Sequence, residues 1–455
     1  MTGRVRVAVT GMGLRTPAGG HPKELWNALL SGRSTARRIT SFDTRGLACD
    51  FACEVGELDV GGYLTPREAD RLDRVAQLAV CAADDALADA FDGACDGGRG
   101  GGSGGAGGVR VPPERRAVVA GICFGGMRTL EAGVLGGART QDAASLGEPR
   151  TPDAGTLGKS RTPGAGVAGG ARPTAPGPLY VPMVMHNAAA AAISIRHQIK
   201  GHSLTIGTAC ASGSNAIGEG ARLLRDGSAD LVIAGGSESC LTPTVLLAFD
   251  RCGALSRRTA APERASRPFD RDRDGFVLAE GAAFLVLENL EHALRRGARV
   301  HAELTGYGSC SDAHHLTAPA AQGEGAYRCM RAALADAGLE PGEIAHVNAH
   351  GSGTRLNDLG EAQAISRLFG PAGVPVTGTK GVTGHAIAAA GVIEAVAAIL
   401  AMRELTLPPT ANLENLDPEC PIDVAREARP LPPGPVMSNS FGFGGHNATL
   451  IFAPI

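Results

Sequence analysis

Short β-rich apolar runs in this chain repeatedly end in glycine-rich or small-residue loops and are followed by helical stretches. Residues 5–8, 117–120, 203–206 and 231–234 form a first set of such runs, and residues 283–287, 301–304, 345–348, 374–376 and 449–452 a second. The alternation predicts an α/β fold. Apolar residues within the runs are continuous rather than alternating, as expected of strands covered by helices on both faces. Two sets in 455 residues predict one layered core of two similar halves rather than three small domains.

Two tracts interrupt the pattern. Residues 97–108 are dominated by glycine and are expected to be flexible. Residues 133–178 repeat at a period of eleven through Arg139-Thr140, Arg150-Thr151-Pro152 and Arg161-Thr162-Pro163, with a looser copy at Arg172. That period is too short for a solenoid, and the tract has too few large apolar residues to offset the entropy of ordering. It is expected to be a disordered insertion, the alternative being a docking or lid segment over a nearby pocket.

A formal net charge of -3 gives no bulk electrostatic reason to expect nucleic acid or anionic lipid as a partner. No apolar run reaches the roughly 18 residues of a membrane span, and the longest, residues 392–402, contains Glu394. Thr2, Gly3 and Arg4 run straight into a strand-like segment without a signal-peptide core, so the expected location is cytoplasmic. The eleven cysteines show no CxxC or metal-type spacing. This predicts neither a disulfide framework nor a metal site, with most thiols buried as small hydrophobes.

One cysteine stands apart. In Gly207-Thr208-Ala209-Cys210-Ala211-Ser212-Gly213, Cys210 falls between a strand end and a helix running through Leu224. There the helix N–H groups and dipole favour a thiolate, and small neighbours admit a substrate. Alone, such a cysteine is more often an inert core residue. Two glycine-framed histidines also follow strand-like runs, His350 in Asn348-Ala349-His350-Gly351-Ser352-Gly353-Thr354 and His385 in Lys380-Gly381-Val382-Thr383-Gly384-His385. A single histidine so placed is more often structural. The recurrence of Cys, His and His at equivalent junctions points to chemistry, with Lys380 and Glu394 as a charge network able to orient and tune the imidazoles.

Together these segments resemble the β-ketoacyl-acyl carrier protein synthases of the thiolase superfamily, synthase II type. The similarity extends through Val9-Thr10-Gly11-Met12-Gly13, Leu25-Trp26, Gly32-Arg33-Ser34, Arg71-Leu72-Asp73-Arg74, Arg267-Pro268-Phe269-Asp270, Asp274-Gly275-Phe276 and Ser438-Asn439-Ser440-Phe441-Gly442-Phe443-Gly444-Gly445. The resemblance implies a thiolase-like α/β/α/β/α fold, with residues 1–288 carrying the nucleophile and residues 289–455 carrying both histidines. It implies that Cys210 accepts the acyl group and that His350 and His385 bind the malonyl thioester carbonyl and promote decarboxylation. It further implies that the backbone N–H groups of Cys210 and Phe443 form an oxyanion hole. Lys380 would act with the histidines, Glu394 would support it, and Ser352 and Thr354 would bind the pantetheine arm. Asp358 and Glu361 also match, in a structural capacity. No metal or separate cofactor is implied, since substrates ride on the phosphopantetheine of acyl carrier protein. The implied assembly is a dimer across an extended strand, either a homodimer or a heterodimer with a chain-length-factor-like subunit.

Two residues depart from the family pattern. Phe124 stands where isoleucine often lines the acyl pocket beside Phe443, and its ring would either shorten that pocket or pack aside as a gate. His446 replaces a threonine and would either tune the chemistry or fill space. These departures and the insertion favour a specialised fatty-acid or polyketide pathway. Two rival functions remain: acyl transfer or cyclisation on Cys210 without extension, and a non-condensing chain-length-factor role, which the presence of Cys210 disfavours.

Overall fold

The computed structural model describes residues 4–91, 111–135 and 177–455. The glycine tract and nearly all of the eleven-residue repeats lie outside the described residues, and with them the expectations of flexibility, disorder or docking there.

Eleven strands form one sheet: β1 (Val7–Arg15), β2 (Arg116–Gly121), β3 (Ser203–Ile206), β4 (Leu231–Glu238), β5 (Gly281–Asn289), β6 (Ala302–Ser311), β7 (His346–Asn348), β8 (Pro375–Thr377), β9 (Asp423–Val424), β10 (Val436–Gly442) and β11 (His446–Ala453). Their order is β9-β8-β7-β10-β11-β6-β1-β5-β4-β2-β3. The two halves meet between β1 and β6 at a short antiparallel contact, Ala8 opposite Glu303 and Val9 opposite Ala302. Outward from β1, pairing with β5, β4, β2 and β3 runs antiparallel, antiparallel, parallel, parallel. Outward from β6, pairing with β11, β10, β7 and β8 repeats that sequence. The halves therefore share one pairing scheme, as the two sets of apolar runs predict.

Helices complete five layers. The helices α1 (Arg74–Phe91) and α2 (Ala188–His197) cover the first half-sheet, and α4 (Glu324–Ala337) and α5 (Arg355–Phe369) cover the second. Between the half-sheets lie α3 (Ser212–Arg225) and α6 (Ala390–Arg403), packed on each other and on both halves. Every residue of α6 from Ala390 to Met402 is buried, as a helix apolar on all sides must be.

Two local expectations fail. Strand β3 is not covered on both faces: it ends the sheet with one neighbour, and Leu204 is 41% exposed. Strand β10 was absent from the predicted runs because its centre is Ser438-Asn439-Ser440. Two of these polar side chains are buried with partners: Thr449 donates to Asn439 Oδ1 at 2.9 Å, and the Ser440 and Ser214 hydroxyls lie 2.8 Å apart.

Candidate active site

The first half supplies the cysteine. After β3, residues Ala209–Ala211 make a single tight helical turn and α3 starts at Ser212. Ala209 sits at φ +50°, a left-handed conformation that is strained for a residue with a side chain. Ser212 holds the turn by accepting from Thr208 N–H at 2.9 Å and donating to Ala209 C=O at 2.6 Å, while Asn215 Nδ2 donates to Thr208 Oγ1 at 2.8 Å. Cys210 is thereby fixed at the start of α3, 9% exposed.

The second half supplies the histidines. The His350 and Gly351 N–H groups each donate to the Glu361 carboxylate of α5 at 2.8 Å. Asp358 accepts from Gly353 N–H at 3.1 Å and from Phe269 N–H at 2.8 Å. Both carboxylates thus shape the His350 loop from below, the structural part expected of them. His385 is clamped in both directions: its N–H donates to Val277 C=O at 2.8 Å and its C=O accepts from Ala279 N–H at 3.0 Å. Lys380, on the short turn Lys380–Thr383, places Nζ 3.2 Å from His350 Nδ1 and 2.5 Å from His350 C=O, and forms a buried ion pair with Glu394 of α6.

These elements converge. His385 Nε2 lies 3.1 Å from the Cys210 sulfur, the two imidazoles meet edge to face at 5.3 Å, and the reactive atoms of Cys210, His350 and His385 fall within 4.8 Å of one another. The ammonium of Lys380 is a donor only, so His350 Nδ1 accepts and the ring proton sits on Nε2, ready to be donated. Burial pushes both imidazoles well below their ordinary range, and the Lys380 charge pushes them further, so both are neutral at pH 7. Cys210, His350 and His385 are also the soft donor types a metal would use. The buried ammonium beside His350 opposes a second cation there and favours a developing oxyanion.

The helix start favours a thiolate, and burial acts in the opposite direction. Burial pushes the Cys210 thiol up to about 12, outweighing the Lys380 charge and the Phe443 N–H bonded to the sulfur. Complete removal from water costs the anion more than these neighbours return. Alkylation of Cys210 by iodoacetamide should therefore accelerate about tenfold per pH unit between pH 7 and 9, following thiolate fraction. A rate independent of pH over that range, read by intact mass, would restore the thiolate.

The Phe443 N–H lies against the sulfur because Gly442 lets the two backbones approach: a Cβ on Gly442 would stand 3.0 Å from Cys210 N. Ser352 and Thr354 present hydroxyls 3.0 Å apart two and four residues beyond His350. Phe124 is half-buried and packs edge to face on Phe249 at 6.0 Å. Phe249 in turn packs on Phe276 at 5.4 Å, and Phe276 on His385 at 5.2 Å. Sequence reasoning missed Phe249 altogether and used Phe276 only as part of a motif; no local spacing marks an aromatic series drawn from four separated segments. His446 begins β11 opposite Ser311 with its ring against Gly444, outside the Cys210, His350 and His385 cluster.

Comparison with known proteins identifies the family and the fold. The family model "Beta-ketoacyl synthase, N-terminal domain" matches residues 4–94 and 149–293, and "Beta-ketoacyl synthase, C-terminal domain" matches residues 301–414. Among relatives, the 3-oxoacyl-[acyl-carrier-protein] synthase 2 of Synechocystis sp. is 39% identical over 98% of this chain and 97% of its own length. The protein of that name from Staphylococcus aureus (strain MRSA252) is 36% identical over 99% of each. Among solved structures, the ishigamide ketosynthase/chain length factor superposes with a TM-score of 0.83 at 32% identity, covering 100% of both chains. A type II PKS acyl-carrier protein in complex with its ketosynthase bound to the hexaketide superposes with a TM-score of 0.80 at 29% identity, again covering 100% of both.

Proposed function

The chain belongs to the β-ketoacyl synthase family, and on that premise we propose that it joins an acyl group held on Cys210 to malonyl-acyl carrier protein by decarboxylative Claisen condensation. The observation that carries this reading is the pair of neutral imidazoles beside the Cys210 sulfur, with His350 Nδ1 already occupied by Lys380.

In the first half-reaction the thiol proton passes to His385 Nε2, 3.1 Å away, as the sulfur attacks the acyl thioester. The oxyanion forms against the N–H groups of Cys210 and Phe443, and collapse expels the pantetheine thiolate, which takes the proton from His385. In the second half-reaction the malonyl thioester carbonyl accepts from Nε2–H of His350 and, once His385 has exchanged its ring proton from Nδ1 to Nε2, from His385 as well. Carbon dioxide departs, its bonding electrons become an enolate, and the enolate carbon attacks the acyl carbonyl while the Cys210 thiolate leaves. Decarboxylation supplies the carbanion, so no separate cofactor is needed. Ser352 and Thr354 hold the pantetheine arm, and acyl carrier protein delivers both substrates. Among the described residues no helix is long and apolar enough to cross a membrane, in keeping with substrates carried by a protein.

The acyl chain runs past Phe443 toward Phe124, whose ring is braced by Phe249 and closes the pocket early. Incubating the protein with malonyl-carrier protein and acyl-carrier thioesters of graded length, followed by mass, tests both claims. Shorter acyl groups should be extended by one malonyl-derived unit. Phe124→Ala should improve kcat/KM for longer ones by about tenfold, the worth of burying two further methylenes. Loading without any extension would instead favour acyl transfer or cyclisation, and an unchanged length profile would show that Phe124 swings aside.

A further inference from the structure

We propose that Cys310 and Cys329, far from the Cys210 thiol in sequence and on different elements, form a peroxide-responsive pair that closes to a disulfide and so slows condensation. Neither residue has a part in the reaction above. Gly306, Gly308 and Cys310 occupy alternate positions of β6 and point to one face of the sheet, where α4 meets them in reverse order at Ala333, Cys329 and Gly325. Cβ atoms at Gly306 and Gly308 would stand 2.5 Å from Ala333 C=O and 2.2 Å from Cys329 C=O. Helix and strand backbones are therefore in close contact, which sets the two cysteines on directly facing elements.

The thiols cross that contact reciprocally. Cys310 Sγ lies 3.4 Å from Gly325 C=O on the helix, and Cys329 Sγ lies 3.4 Å from Gly308 C=O on the strand. Each sulfur therefore rests against the backbone of the element that carries the other cysteine. Cys329 is fully buried, whereas Cys310 is partly open to solvent. The Cys329 thiol, helped by Arg328, lowers Cys310 to about 7 against its partial burial and Asp312. One partner is thus accessible and readily ionised, and the other is shielded beside it, the division between attacking and resolving cysteines.

Hydrogen peroxide supplies the oxidising equivalents. The Cys310 thiolate attacks one peroxide oxygen, giving the sulfenic acid and hydroxide, which takes up a proton to leave as water. The Cys329 thiol then displaces the sulfenic oxygen as a second water, so two thiols and one peroxide yield one disulfide and two waters. The effect on activity follows from position. Asp312, two residues past Cys310, donates its N–H to Gly445 C=O at 2.8 Å and accepts from Asn447 Nδ2 at 2.6 Å. The end of β6 thereby braces the turn that presents the Phe443 N–H, and drawing Cys310 toward α4 shifts that brace.

The test exposes the full chain to low-millimolar hydrogen peroxide while Cys210 is protected as its acyl-enzyme, then maps disulfide-linked peptides and measures condensation. The expected result is a crosslink joining the Cys310 and Cys329 peptides, a fall in condensation of about threefold or more, and full recovery with dithiothreitol. Cys310→Ser should keep its rate under the same exposure, and Cys329→Ser should instead gain oxygen mass on Cys310. Absence of the crosslink, or a crosslink that leaves the rate unchanged, overturns the proposal. Because peptide mapping needs no turnover, failure of the condensation reading would leave the crosslink result intact.

Discussion

Cys210→Ala should carry no acyl group after incubation with an acyl-carrier thioester, whereas His350→Ala should load to completion and lose condensation by about a thousandfold. The contrast follows from the division of labour at the site. The sulfur is the atom that takes the acyl group, and its proton goes to His385, 3.1 Å away, without involving His350. His350 Nε2–H acts only when the enolate forms, and removing one such donor from a dry site costs about two to three powers of ten in rate. The alanine also strips Lys380 of its bond to the imidazole Nδ1, which adds to the loss. Intact mass reads loading and product assay reads extension. Loss of both steps in His350→Ala would assign it to the first half-reaction, and continued loading of Cys210→Ala would move the nucleophile elsewhere.

Lys380→Met should destabilise the protein by about 3 kcal/mol at pH 8, because it leaves the Glu394 carboxylate unpaired inside α6. Burial already pushes Glu394 up to about 7 against the pull of Lys380, and without the ammonium it titrates higher. A carboxyl raised in the folded state keeps its contribution below its ordinary value near 4.5 and loses it as pH rises through the folded value. The deficit of the variant should therefore be small at pH 5 and grow toward pH 8, as thermal unfolding at each pH will show. Lys380→Met combined with Glu394→Leu should regain most of the stability, since two apolar side chains replace the pair. Condensation should stay about 100-fold low, because His350 Nδ1 has lost the donor that fixes its tautomer. Recovery of the wild-type rate in the double variant would reduce Lys380 to a purely structural counter-ion.

Much of the site was legible because its residues are local punctuation. Cys210 follows a strand and opens a helix, and His350 and His385 sit in glycine-framed loops; each pattern is visible within a few neighbouring residues. The sheet was legible for the same reason, since apolar runs and loops recur in both halves. Strand β10 escaped because hydrophobicity is the signal for a buried strand, whereas the centre of this strand is polar, with Asn439 and Ser440 partnered from β11 and α3. Phe249 and Phe276 escaped because an aromatic residue in a helix or loop has no local mark of what it touches.

The sequence by itself determined the α/β alternation, the positions of Cys210, His350 and His385 at strand-to-loop junctions and, through its resemblance, the chemistry proposed for them. Tertiary structure decided the protonation states: the helix start at Cys210 argued for a thiolate, and only the depth of the site shows that desolvation holds it as a thiol. It also decided that Cys310 and Cys329 stand on facing elements, because glycines let α4 press against β6. Strand and loop signals act over a few residues, whereas burial and side-chain partnership depend on segments that are distant along the chain and adjacent only once it has folded.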